Sequence, residues 1–127
     1  MKKQAGIWID HRAALIVLIA EGGESTELIE SGVEKHVRFS GHSRSEEGTA
    51  DDQVDRQFTA HLDSYYDEVV SRVRDAESLL IFGPGEAKGE FEKRLTRQGL
   101  GGRVVGVEAA DKMTDPQIVA KVRQYYQ

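Results

Sequence analysis

Two short apolar runs open the chain, Ala5 to Asp10 and Ala13 to Ala20, separated only by His11 and Arg12. Runs this brief and this rich in β-branched residues predict strands, and so short a connection predicts that they pair as a hairpin. Glu21-Gly22-Gly23-Glu24 predicts the next turn. From about Thr26 to Phe39 the chain is more polar, and Val33, Val37 and Phe39 partly alternate with charge, which predicts a third strand with one wet face. The stretch SGHSRSEEGTADDQ, Ser40 to Gln53, has almost no apolar residue and two glycines, so it reads as a surface loop. A loop of that length is uncommon in a small domain unless it is functional or disordered.

Helical periodicity follows. Val54, Phe58, Leu62, Tyr65, Val69 and Val73 recur at three- and four-residue spacing, predicting an amphipathic helix from about Val54 to Ala76, with Asp51 and Asp52 favourably placed near its N-terminus. Leu79-Leu80-Ile81-Phe82 is a continuous apolar run of the buried-strand kind, and Gly83-Pro84-Gly85 ends it before a helix over Glu86 to Arg97 through Ala87, Phe91 and Leu95. Gly99 to Gly102 close that helix. Val104, Val105 and Val107 form a last strand, and Thr114-Asp115-Pro116-Gln117 is a capping box that introduces a helix through Ile118, Val119, Val122 and Tyr126.

The element order is therefore βββαβαβα. A three-strand meander followed by two right-handed crossovers gives an α/β fold of the three-layer, ribonuclease H-like kind, with a mixed five-stranded sheet of order 3-2-1-4-5. With 127 residues the expectation is one domain, 1–127, since one core fits and two do not. The absence of cysteine excludes disulfides and thiolate chemistry and points to a reducing, cytoplasmic setting. Asp10-His11-Arg12 interrupts the N-terminal apolar stretch, which argues against a signal peptide or membrane helix. A net charge of -5 offers nucleic acid no overall attraction, so RNA contact would need a local patch, and Lys35, His36, Arg38, His42 and Arg44 supply one.

The segment LLIFGPGEAKGEFEKRL, residues 79 to 95, resembles the strand, Gly-Pro-Gly turn and lysine-bearing helix in the middle domain of the Pelota and archaeal/eukaryotic release-factor family. AGIWIDHRAALIVLIAEGG resembles that domain's opening hairpin, EKHVRFSGHSRSEEG its third strand and protruding loop, and RVVGVEAADKMTDPQIVAKVRQYY its closing strand and helix. The resemblance implies a stand-alone, translation-related binding module that contacts RNA or the ribosome through the 40–53 loop. Lys35, Arg38, His42 and Arg44 would then face phosphate. Release factors carry Gly-Gly-Gln in that loop; here Gly48 and Gln53 stand apart, so peptidyl-tRNA hydrolysis is not expected.

Other chemistry finds less support. A ribonuclease H-type nuclease needs carboxylates from the first strand, first helix and fourth strand to clamp two divalent ions. Asp10 and one of Asp51, Asp52 or Asp55 are available, but Leu79 to Phe82 offers none, and Asp10 reads as a turn former instead. GPGEAKG fits neither dinucleotide- nor phosphate-loop spacing, although Gly83, Gly85 and Lys88 form a candidate anion-binding turn. His11, His36, His42 and His61 lack metal-ligand spacing, so no metal or cofactor is expected. The tyrosine pairs Tyr65-Tyr66 and Tyr125-Tyr126 are expected to place one ring of each pair less buried. An exposed tyrosine of this kind would suit a homodimer or adaptor interface, the competing expectation.

Overall fold

The computed structural model describes residues 3–32 and 48–126, and over 48–60 the backbone alone. In chain order the elements are β1 (Gln4–Ile9), β2 (Ala13–Ala20), β3 (Gly23–Glu30), α1 (Gly48–Val73), β4 (Ser78–Gly83), α2 (Ala87–Arg97), a 3-10 turn (Gly101–Arg103), β5 (Val104–Ala109) and α3 (Asp115–Tyr126). They build one five-stranded sheet of order β3-β2-β1-β4-β5, as the element order predicts. The β1–β2 and β2–β3 pairings are antiparallel, and β4 and β5 run parallel to β1.

Side-chain alternation sorts the strands onto two faces. Ala5, Ile7, Ile9, Ala14, Ile16, Leu79 and Ile81 pack under α1 and α2, against Leu62, Tyr65, Tyr66, Val69, Val73, Phe91 and Leu95. Trp8, Leu15, Val17, Leu80 and Phe82 face the other way, under Ile118 and Val122 of α3. This sandwiching is why Leu79 to Phe82 read as an unbroken apolar run, since all four are fully buried. Burying a side chain of this size contributes about 1.5–3 kcal/mol, so β4 is the energetic centre of the sheet.

One transverse row sets how closely α3 approaches. Gly6 is in register with Leu80, and Leu80 with Gly106, so two glycines flank one leucine on the α3 face. A Cβ on Gly6 would lie 2.2 Å from Cγ2 of Val122, a distance no packed pair tolerates. Gly6→Ala should therefore cost about 1–3 kcal/mol in urea unfolding. Val122→Ala in the same molecule should recover part of that loss; purely additive costs would show that the two sites do not touch.

Two elements differ from the sequence expectation. The third strand is Gly23–Glu30, so the turn before it tightens to Glu21 and Gly22, and Ala20 pairs with Gly23. The polar stretch GESTELIE gives little periodic signal because β3 is an edge strand, largely exposed apart from Ile29. Of the rest of the expected third strand, Ser31 and Gly32 lie past the strand's end, and residues 33–39, with Lys35 and Arg38, lie outside the described residues. The long helix starts at Gly48, six residues before Val54, so the end of the expected loop, from Gly48 to Gln53, is helical. A sequence with aspartates at positions 51 and 52 favours the first turns of a helix, because acidic residues there complement its dipole.

The capping box forms as expected. Thr114 N–H donates to Gln117 Oε1 at 2.9 Å and Gln117 N–H to Thr114 Oγ1 at 3.3 Å. No helix among the described residues is long and apolar enough to cross a membrane.

Candidate functional site at the carboxyl edge of the sheet

The parallel strands β1, β4 and β5 end on the same side of the sheet, at Ile9, Gly83 and Ala109, and β3 leaves on that side too, at Glu30. In open α/β sheets the carboxyl edge is where ligands meet the loops. Here it gathers the β1–β2 turn, the β4–α2 turn and the start of the 33–47 connection.

The β1–β2 turn is self-supporting. Asp10 Oδ1 accepts hydrogen bonds from the amides of Arg12 at 2.8 Å and Ala13 at 2.9 Å, and Asp10 N–H donates to Ala13 O at 3.0 Å. Its carboxylate thus closes the turn, as a turn former should. Neighbouring elements hold the same turn. Ser31 N–H donates to Arg12 O at 2.8 Å, Ser31 Oγ–H to His11 O at 2.6 Å, and the Tyr65 hydroxyl to Asp10 O at 3.0 Å. The point where the chain leaves β3 is therefore fixed to both β1 and α1. Gly32 follows at φ 72°, a left-handed conformation suited to glycine, and turns the chain out of the sheet.

Glu90, on the first turns of α2, joins this platform across the sheet edge. Its Oε1 accepts the Tyr66 hydroxyl at 2.7 Å and meets His11 Nε2 at 3.0 Å. Burial first, and then the hydrogen bond to Glu90, push the Tyr66 phenol far above its ordinary pKa, so it stays a donor. Burial and the nearby Asp10 charge do the same for Tyr65. Sequence reasoning did not find this network, because its members are 24 and 79 residues apart and carry no local signal.

Both Tyr65 and Tyr66 are buried, at 3% exposure each, against the expectation that one would stand out. The reason is a third neighbour. Helix α1 is covered by the sheet on one side and by α2 on the next, where the Tyr66 ring lies 6.0 Å from Phe91. At the other pair, where only the sheet covers α3, Tyr125 is 42% exposed while the Tyr126 hydroxyl donates to Ala5 O at 2.8 Å.

The β4–α2 turn explains its own glycines. Gly83, at φ 151°, passes so near β1 that a Cβ would lie 2.2 Å from Ile9 O, and Gly85 turns the chain at φ 68°. The Lys88 ammonium folds back onto Gly85 O. Glu86 occupies the N-cap position without a side-chain cap bond.

Beyond Glu90 a groove of about 320 Å³ runs between α1 and α2, lined by Leu62, Asp63, Tyr66, Glu90, Lys93, Arg94 and Arg97. Arg94 closes onto Asp67 with two hydrogen bonds, 2.7 and 2.8 Å, and Gln98 Nε2 adds a third at 2.9 Å. These contacts, chiefly the Arg94 hydrogen bonds, hold the Asp67 carboxyl below the usual carboxylate range. A depressed carboxylate pKa stabilises the fold above its unfolded value and is lost as pH falls through the folded value. Arg94→Ala should cost about 0.5–1 kcal/mol at neutral pH, a value kept small because the pair is partly solvated. The gap from wild type should close as the pH is lowered below about 4, measured by thermal melts over a pH series.

No protein-family model and no curated protein matches the sequence. Solved structures do. The Pelota protein of Thermoplasma acidophilum aligns with a TM-score of 0.61 and 21% identity over 94% of this chain, and that of Archaeoglobus fulgidus with 0.58 and 12% over 96%. The archaeal translation termination factor aRF1 aligns with a TM-score of 0.57 and 12% identity over 94%. The chain shares its fold with Pelota and aRF1. It spans about a third of each, covering 31%, 31% and 33% of their lengths. The Pelota-like sheet thus agrees with the resemblance carried by GPGEAK, and the carboxyl edge is the part of it that bears the β1–β2 and β4–α2 turns and the point where the chain leaves β3. Lys35, Arg38, His42 and Arg44 lie outside the described residues; Gly83, Gly85 and Lys88 come together in the β4–α2 turn.

Proposed function

We propose that this chain is a non-catalytic, cytoplasmic, translation-related binding module that contacts RNA or a ribosomal component through the 40–53 segment. The observation that carries this reading is the anchoring of Ser31 and the Asp10–Arg12 turn at the carboxyl edge of a fold shared with Pelota and aRF1. That platform gives the departing chain a rigid base. Basic His42 and Arg44 are then the phosphate-facing groups, with Lys35 and Arg38 beside them, and the Gly83–Gly85 turn with Lys88 is a secondary anion contact on the same edge. Replacing His42 and Arg44 by alanine should leave the melting temperature unchanged, since exposed loop side chains alter stability by less than about 0.5 kcal/mol. Co-sedimentation with purified ribosomal subunits over a salt series should weaken and lose salt dependence. Wild type that shows no salt-sensitive binding would sink the reading.

A homodimer is the second reading, favoured by Val105, Val107 and Tyr125, which are exposed at or beside the edge strand β5. Sedimentation equilibrium separates it from the first. Nuclease action has less behind it, because Asp10 is engaged by two amides and β4 runs from Phe82 into Gly83 without a carboxylate. An RNA–DNA hybrid incubated with magnesium or manganese should stay intact, and cleavage abolished by Asp10→Asn would restore that reading.

A further inference from the structure

The cations on the described surface are unevenly paired. Lys3, Arg72, Arg94, Lys121 and Arg123 each lie within ion-pair distance of a carboxylate. Lys93 and Arg97 have no carboxylate partner among the described residues, and both are exposed. One helical turn apart, they share a face of α2 on the rim of the α1–α2 groove. Two more arginines continue the line beyond the end of α2. Arg74 reaches the amide oxygen of Gln98 at 2.8 Å, and Arg103 donates to the carbonyls of Arg74 at 2.5 Å and Ala76 at 3.0 Å, so neither is neutralised by those contacts.

Of the acids beside this line, Asp63, Asp67, Asp75 and Glu90 each have a hydrogen-bond or ion-pair partner. Asp67 is held by Arg94 and Gln98, Asp63 lies 3.8 Å from Arg94, Glu90 takes the Tyr66 hydroxyl and His11, and Asp75 lies 3.7 Å from Lys3. Along this strip Lys3, Arg74, Lys93, Arg94, Arg97 and Arg103 stand with Glu21, Asp63, Asp67, Asp75 and Glu90, a small positive excess in a protein whose net charge is -5. The strip also lacks what a protein-binding face would need. Among the described residues the exposed large apolar side chains, Leu28, Val105, Val107 and Tyr125, do not line the groove, whereas protein interfaces are built around apolar and aromatic anchors and nucleic-acid interfaces are polar and cationic.

From this we infer that Lys93, Arg97, Arg74 and Arg103 form a phosphodiester-binding strip, along which single-stranded RNA runs from the carboxyl edge down the α1–α2 groove. The strip rests on the RNA-contact reading proposed above and extends it to described residues, none of which belongs to the 40–53 segment. Its contacts are to backbone phosphate, so it reads no sequence.

The test is fluorescence anisotropy with a labelled oligouridylate over a potassium chloride series, using wild type, Lys93→Ala/Arg97→Ala, and His42→Ala/Arg44→Ala. Circular dichroism melts confirm folding, which exposed substitutions should leave intact. The strip variant should weaken binding and flatten the log–log salt slope by about 1.4, or about 0.7 for each lost phosphate contact to a single strand. Lys93→Arg/Arg97→Lys should restore it, since charge and not shape makes the contact. A strip variant with wild-type affinity and slope, while the loop variant is weakened, overturns the strip and leaves the loop reading standing. The reverse pattern keeps the strip and removes the loop. Wild type that ignores oligouridylate but binds poly-glutamate through Lys93 and Arg97 overturns the RNA strip in favour of an acidic protein partner.

Discussion

Val69→Asp should abolish folding. Val69 is fully buried on the α1 face that packs on the sheet, among Tyr65, Tyr66, Val73 and Phe91. An aspartate there would be a charge without a partner, at a cost of several kcal/mol, against a total stability of about 5–15 kcal/mol for a domain. The expected result is loss of the cooperative thermal transition by circular dichroism. Ser71→Asp, two residues on and exposed, should melt within about 0.5 kcal/mol of wild type. If Val69→Asp also melted like wild type, the helix face would be wrongly placed.

The glycines of the GPGEAKG segment should answer differently to the same substitution. Gly83→Ala drives a Cβ to 2.2 Å from Ile9 O, a backbone atom of the central strand, at a φ of 151° that alanine rarely adopts. Strain and overpacking together should cost about 3 kcal/mol or more, lowering the melting temperature by about 10 °C. Gly85→Ala meets open space but keeps a left-handed φ of 68°, so about 1 kcal/mol is expected. Gly89→Ala lies in α2 with nothing within 4 Å and should instead stabilise by about 0.5–1 kcal/mol. Differential scanning calorimetry of the three variants checks the order, and equal effects would show that no close strand crossing governs the turn.

What was legible in the sequence was what is local. The β1–β2 hairpin, β4 and the Thr114–Gln117 cap follow from residues within one element, and the strand order follows from the sequence of elements. What was not legible depended on neighbours supplied from afar. GESTELIE gives no clear strand pattern because an edge strand is asked to bury so little of itself. The burial of both Tyr65 and Tyr66 depends on α2, and the carboxylate that receives Tyr66 and His11 comes from Glu90. Of the candidate site, the sequence pointed to the GPGEAK turn and to Asp10 as a turn former, both of which act through their own adjacent amides or backbone conformation.

The placement of β1 at the centre of the sheet has a consequence for biosynthesis. The first 30 residues contain the whole β1–β2–β3 meander, whose pairings are between neighbours in sequence and need little loop closure. Both faces of that meander are apolar, with Ile7, Ile9 and Ile16 on one side and Trp8, Leu15 and Val17 on the other. Their covers are made later: α1 and α2 shield the first face, and α3, the last helix, shields the second. A nascent chain released before Ile118 and Val122 emerge therefore carries an unshielded sheet face, and one released before β4 also carries an open edge along β1. Such a species is prone to self-association, so the meander synthesised alone should aggregate, and productive folding is tied to the arrival of the C-terminal helix.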